Sequence, residues 1–154
     1  VTGEEITLAS GTVCEAVRAS IGLPGIFRPT PYDGRFLVDG GLVNPVPSDL
    51  VAKLGGDRII AVNVTSAPGQ RPRRPGARGP GLLTVFFNSL YTMEYRIAAA
   101  RAEIADLVLR PDTRGYTWPE FHRAEGLIRA GELCAEEALP QIRKLWESAR
   151  GSST

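Results

Sequence analysis

Three apolar residues lead into a carboxylate and two glycines in the segment Phe36-Leu37-Val38-Asp39-Gly40-Gly41. The pattern predicts a buried strand that delivers an acid to a sharp turn. In open α/β sheets such turns lie at the edge where catalytic groups collect. Asp-Gly pairs also form ordinary turns after strands, because Asp accepts local backbone hydrogen bonds and Gly tolerates positive φ. Asp39 is therefore a candidate catalytic carboxylate whose role depends on the rest of the sequence.

The residues before this segment predict a strand, a helix and a turn. Residues 5–9 resemble a short strand, and Thr12 and Glu15 have the spacing of a capping box at a helix start. Apolar residues recur at helical spacing over 13–21, which predicts one narrow buried helix face. Asp33-Gly34 has the composition of a hairpin-like turn.

The residues after this segment predict a parallel sheet. A short helix is expected over 47–54, and residues 58–64 form a β-branched run that is apolar on both faces, as central parallel strands are. With the strand at 36–39 these elements predict a βαβ unit. Further elements are predicted at 82–104 (helix), 106–110 (strand), 120–130 (helix) and 132–149 (helix). The expected fold class is α/β, with a mostly parallel sheet flanked by helices.

Composition and charge exclude several function classes. The chain has 154 residues, and its 18 basic and 17 acidic side chains leave a net charge of +1, too small a field to capture nucleic acid. Cys14 and Cys134 do not have metal-ligand spacing. The single histidine, His122, has no acid or nucleophile in a recognisable motif around it. No metal, cofactor or nucleic-acid partner is expected.

Three segments at fixed spacing carry a family resemblance: 16–27 (AVRASIGLPGIF), 33–47 (DGRFLVDGGLVNPVP) and 54–64 (LGGDRIIAVNV). In that order they resemble the C-terminal half of the patatin-like phospholipases, specifically the bacterial branch related to neuropathy target esterase. The resemblance continues through 105–112 and 121–131 and so covers nearly the whole chain. It implies that residues 1–150 form the C-terminal portion of a patatin-like domain that is incomplete at the N-terminus.

The resemblance implies a serine hydrolase with a Ser-Asp dyad. In that family the aspartate of the Asp-Gly-Gly motif, here Asp39, partners a serine that lies earlier in the chain. A carboxylate within hydrogen-bond reach of a hydroxyl can act as general base and then return the proton to the leaving group. Gly40 and Gly41 are expected to let the chain turn close to the nucleophile, and Asn44 to brace that turn.

The nucleophile itself has no candidate in these 154 residues, because no GxSxG motif occurs in them. The dyad serine is therefore expected outside this chain, with the chain supplying Asp39. The expected substrates are phospholipids, lysophospholipids or other acyl esters. The alternative is a non-catalytic lipid- or acyl-binding module, or a scaffold, of the same fold.

A loop over 66–81 is rich in Arg, Pro and Gly and carries no acid. Its arginines and the apolar helix start at Phe86-Phe87 suit contact with an anionic membrane surface. The alternative is a solvated loop beside a core helix. The expected location is the cytoplasm or the inner surface of a bacterial membrane. The arginines concerned are Arg71, Arg73, Arg74 and Arg78.

Overall fold

The computed structural model describes residues 2–67, 79–116 and 120–151. The chain divides into two compact units, Val1–Pro45 and Val46–Thr154. Their helices and small parallel sheet confirm the predicted α/β class. The four arginines of the predicted 66–81 loop lie outside the described residues.

The first helix of the first unit, α1 (Val13–Ser20), starts at the predicted capping residues. The Thr12 hydroxyl oxygen accepts a hydrogen bond from the Glu15 N–H at 3.3 Å and donates one to the Glu15 carboxylate at 2.8 Å. This local exchange satisfies one backbone donor that the helix would otherwise leave unpaired. The elements of this unit are α1 (Val13–Ser20), β1 (Thr30–Tyr32), β2 (Arg35–Leu37) and a 3-10 helix (Gly40–Leu42).

Strands β1 and β2 form an antiparallel hairpin in which Thr30 pairs with Leu37. Asp33 has φ 44° and Gly34 has φ 69°, so both residues of the connection adopt the left-handed conformation that two-residue hairpins require. The predicted turn is therefore confirmed. The predicted βαβ unit would join 36–39 of the first unit to 58–64 of the second, and it stays a prediction.

Two predictions for this unit are wrong. Residues 5–9 form no strand. The apolar stripe of α1 follows the predicted helical spacing, but Val13 is 79% exposed, and Val17 and Ile21 are also exposed. Ala19 is the buried residue of this helix.

The second unit contains the parallel pair. Strand β3 (Ile60–Val62) is followed by the long helix α3 (Leu82–Ala102) and then by β4 (Leu107–Leu109), which pairs parallel to β3. In this pairing Ile60 lies opposite Leu107. Where two helices are predicted at 120–130 and 132–149, the structure has one continuous helix, α4 (Ala124–Gly151), with Pro140 inside it. The elements are α2 (Ser48–Lys53), β3 (Ile60–Val62), α3 (Leu82–Ala102), β4 (Leu107–Leu109), a 3-10 helix (Phe121–Arg123) and α4 (Ala124–Gly151).

The core of this unit is built from small side chains. Ala61 of β3 packs with Ala98 and Ala102 of α3, both fully buried, and with Val46. Alanines four residues apart on one helix face let a helix lie close to a strand. Side chains along β3 alternate between buried and exposed, so the described residues cover one face of the strand. Cover of the second face by other parts of the protein stays a prediction. The outward residues, all exposed, are Ile60, Val62 and Val64.

The ends of the parallel strands are fixed by a carboxylate and by backbone hydrogen bonds. Asp106 Oδ2 accepts a hydrogen bond from the Ile59 N–H at 2.8 Å, and the Asn63 N–H donates to the Leu109 carbonyl at 2.8 Å.

Within the described ranges, no helix is both long enough and apolar enough to cross a membrane.

Candidate active site

Asp39 lies at the start of the 3-10 helix Gly40–Leu42 and caps it with its side chain. Its Oδ1 accepts a hydrogen bond from the Gly41 N–H at 2.8 Å. Among the described residues, no other group donates to this carboxylate. The turn therefore fixes the orientation of the side chain through one oxygen and leaves Oδ2 able to accept a proton or a hydrogen bond.

The backbone of Asp39 is anchored on the end of α1. The Asp39 N–H donates to the Gly22 carbonyl at 3.1 Å. Gly22 is buried, and a Cβ added there would lie 3.0 Å from the Ala19 carbonyl oxygen, closer than most Cβ contacts. Sequence reasoning missed this residue because a glycine after a helix indicates only a helix end. Gly22 positions the candidate carboxylate.

Gly40 closes the turn through its carbonyl, which accepts hydrogen bonds from the N–H groups of Val43 at 3.1 Å and Asn44 at 2.9 Å. A Cβ added at Gly40 would have no heavy atom within 4 Å. The packing around it does not require a glycine at this position. The predicted steric role of Gly40 therefore depends on a group that approaches the turn from elsewhere, and the role of Gly41 stays a prediction.

Asn44 is buried, with 8% of its surface exposed, and its Nδ2 donates to Glu5 Oε1 at 3.0 Å. This contact ties the N-terminal segment to the residue that ends the Asp39 turn. It is a contact that a bracing side chain would make, and the bracing role remains a prediction. Glu5 was not identified from the sequence, where it belonged to a predicted strand.

The structure brings Asp39, Gly40, Gly41 and Asn44 together on one turn. No serine of the described residues hydrogen-bonds to the Asp39 carboxylate. His122 lies exposed on the 3-10 helix Phe121–Arg123. Across the parts of the chain that the structure describes, no group of three or more His, Cys, Asp or Glu side chains could hold a metal ion.

A two-point ion pair between Asp112 and Arg114 lies just after β4. Arg114 binds both carboxylate oxygens of Asp112, with Nε at 2.8 Å from Oδ1 and Nη2 at 2.6 Å from Oδ2. These side-chain hydrogen bonds, helped by the Arg114 backbone N–H, lower the pKa of Asp112 from 3.8 to about 2. Above pH 4 the Asp112 carboxylate is therefore ionised and paired with Arg114.

The patatin-like phospholipase family profile matches residues 2–52, a range that contains all four predicted site residues. An uncharacterized NTE family protein of Mycobacterium tuberculosis (strain ATCC 25618 / H37Rv) is 30% identical over 90% of this chain and 27% of its own length. A second such protein of that strain is 37% identical over 42% of this chain and 18% of its own length.

A protein named lysophospholipase nte1 from Aspergillus fumigatus is 28% identical over 88% of this chain and 10% of its own length. The chain spans about a quarter or less of the length of these curated relatives. Together the matches confirm the predicted resemblance of this chain to the patatin-like phospholipases.

Proposed function

We propose that the whole protein hydrolyses acyl esters of phospholipids, lysophospholipids or related lipids, with Asp39 as the general base of a Ser-Asp dyad. The family and its relatives support lipid hydrolysis at the level of the family. The observation that carries the residue assignment is the Asp39 carboxylate, which is held through Oδ1 by the Gly41 N–H and accepts nothing from the described residues at Oδ2.

The mechanism needs one proton acceptor and one nucleophile. The serine oxygen attacks the ester carbonyl carbon while its proton passes to Asp39. As the bond to the leaving alcohol breaks, Asp39 returns the proton to the alcohol oxygen and an acyl-serine remains. Water then attacks the acyl-serine with Asp39 again as the base, which releases the fatty acid and restores both residues.

The serine belongs, in this proposal, to a part of the protein outside these 154 residues. The chain contains no GxSxG motif, and the curated relative that matches 90% of it is about four times as long. The second candidate function is a lipid- or acyl-binding module without catalysis. A GxSxG motif in the rest of the protein favours the enzyme, and its absence favours the module.

The 154-residue chain alone should not hydrolyse p-nitrophenyl butyrate, because it lacks the nucleophile, whereas the whole protein should. The measurement is release of p-nitrophenol, together with labelling by a fluorophosphonate that marks activated serines. Labelling of the whole protein at a serine outside this chain is the expected result. Turnover or labelling by the isolated chain would refute the assignment of the nucleophile to another segment.

We further propose that the start of α3 contacts the membrane surface on which the substrate lies. Leu82 is 86% exposed and Leu83 is 72% exposed, and Phe86 is also exposed. In the sequence the four arginines of 71–78, without an acid among them, precede this apolar helix start. Basic residues next to exposed apolar side chains are the combination that anionic lipid interfaces bind.

The double variant Leu82→Ser, Leu83→Ser should weaken sedimentation with both anionic and neutral vesicles by about tenfold or more, since burying one Leu side chain contributes about 1.5–3 kcal/mol. Replacing the four arginines with Ser should weaken binding to anionic vesicles only. Leu133→Ser, at an exposed position on α4, is the control and should bind as the unchanged protein does. Unchanged vesicle binding in the first two variants would support the solvated-loop alternative.

A further inference from the structure

A cavity of about 360 Å³ opens in the unit Val46–Thr154 at the C-terminal ends of β3 and β4. Its walls are Asn63 and residues 65–67 after β3, residues 110–114 after β4, and Tyr95 and Ala99 of α3. Pockets for small ligands have volumes of roughly 300–1,000 Å³. Open α/β sheets bind ligands at the carboxyl ends of their strands. Size and position both suit a small ligand.

Asn63 supplies an oriented hydrogen-bond donor to this cavity. Only 6% of the residue is exposed. Its Oδ1 accepts hydrogen bonds from the Thr65 N–H at 3.0 Å and the Thr65 hydroxyl at 2.7 Å. Because a backbone N–H can face only the oxygen, these contacts fix which end of the amide is Nδ2. Nδ2 donates to no group among the described residues, so it is available to a ligand in the cavity.

The charges around the cavity favour an anion. Arg110 is exposed and has no carboxylate partner among the described residues. Arg114 is held by Asp112 in the two-point ion pair, so these two charges offset each other. The Tyr95 hydroxyl makes no hydrogen bond to the described residues. The walls therefore offer an amide, a phenol and a guanidinium as donors, while the single carboxylate is already occupied.

We propose that this cavity binds a phosphate group, either free phosphate or the phosphate of a lipid head group. A phosphate presents several strong acceptor oxygens and negative charge, which match the Asn63 amide and the Arg110 guanidinium. The proposal rests on the cavity and its donors alone, and it holds whether or not Asp39 is catalytic.

The experiment follows phosphorus NMR line broadening of inorganic phosphate in the presence of the whole protein, at constant ionic strength. Saturable binding with a Kd on the order of 1 mM is expected for so small a ligand. Asn63→Asp keeps the oxygen that Thr65 needs and replaces the donor with a charge that repels phosphate. It should weaken binding by about tenfold or more, the contribution of one hydrogen bond to a charged group.

Two further variants test the sign of the charge effect. Arg110→Gln should weaken binding by about tenfold, and it removes only an exposed side chain, so it remains informative if Asn63→Asp fails to fold. Asp112→Asn removes the charge that offsets Arg114 and should strengthen binding several-fold. Arg143→Gln, an exposed position on α4 outside the cavity, is the matched control and should bind phosphate normally.

Glycerophosphocholine distinguishes the two sources of phosphate. Tighter binding of glycerophosphocholine than of inorganic phosphate, with loss in Asn63→Asp and Arg110→Gln, assigns the cavity to a lipid head group. Binding of inorganic phosphate alone, with the same losses, assigns it to free phosphate. Absence of saturable binding by both probes, or equal binding in Arg110→Gln and Arg143→Gln, would overturn the proposal.

Discussion

Replacing Asp39 by Asn in the whole protein should lower kcat by at least ~100-fold, the low end of general-base contributions. Asn keeps an oxygen that can accept the Gly41 N–H, which Oδ1 of Asp39 now accepts at 2.8 Å, so the turn should persist. What it loses is the ability to take the serine proton. The measurement is kcat for a phospholipid or p-nitrophenyl ester, with the melting temperature recorded in parallel.

Asp33→Asn is the matched control, since Asp33 also precedes a glycine but lies in the hairpin turn. Its φ of 44° is a conformation that Asn adopts readily. We expect kcat to stay within about threefold, because surface turn substitutions change stability by at most about 0.5 kcal/mol. If Asp39→Asn and Asp33→Asn are equally active, Asp39 is only the cap of the 3-10 helix.

Gly40→Ala tests whether another part of the protein packs closely against the Asp39 turn. The added methyl group would meet no heavy atom within 4 Å, so this substitution should leave the folding of the chain unchanged. A loss of kcat at unchanged melting temperature would then indicate a close neighbour outside the described residues, as the dyad requires. Full activity would remove the predicted steric role of this glycine.

Replacing Asp49 by Ala should destabilise the unit Val46–Thr154 by about 1.5–3 kcal/mol, the contribution of a hydrogen bond to a charged group. Asp49 Oδ2 accepts from Arg101 Nη1 at 2.8 Å and from Lys53 Nζ at 3.5 Å, and its side chain is only 13% exposed. These contacts join α2 to α3. Thermal unfolding measures the change, at about 2–4 °C of melting temperature per kcal/mol.

Glu132→Ala is the corresponding surface control. Glu132 pairs with Arg129 at 3.0 Å on α4, and both side chains are more than half exposed. Exposed pairs of this kind contribute about 0.2–1 kcal/mol. If the melting temperature falls as far in Glu132→Ala as in Asp49→Ala, the contact between α2 and α3 stabilises the protein no more than an exposed ion pair does.

Helices were predictable from the sequence where their signals are local. The Thr12 and Glu15 pair sets the start of α1, and the helix predicted at 82–104 with its apolar start agrees with α3 within about two residues at each end. The division into helices at 120–130 and 132–149 was wrong, because the glycine at 131 disfavours a helix by propensity alone. Helix α4 continues through Gly131.

Burial and strand pairing were less predictable, because both depend on what lies opposite. The period of α1 is correct, yet the described chain leaves Val13 largely exposed. Apolar residues at 36–39 fit a parallel strand or a hairpin equally well. The structure has a hairpin, with positive φ angles at Asp33 and Gly34 in its turn. The sequence predicts that turn but does not identify β1 as the strand that pairs with β2.

The residues of the Asp39 turn were predictable from the sequence, but the long-range hydrogen bonds that hold the turn were not. Asp followed by two glycines indicates a side-chain cap, which the Gly41 N–H confirms. The contacts from Gly22 to Asp39 and from Glu5 to Asn44 join residues that are distant in sequence. No local pattern marks such contacts, and they orient the candidate site.

The parallel pairing of β3 with β4 has a consequence for the order of folding. Ile59 and Asp106, which meet at its start, are 47 residues apart in sequence. Closing so long a loop costs entropy before any strand contact compensates for it. The hairpin of β1 and β2 spans a two-residue turn and can form within microseconds. We therefore expect hydrogen exchange during refolding to protect Arg35–Leu37 well before Leu107–Leu109.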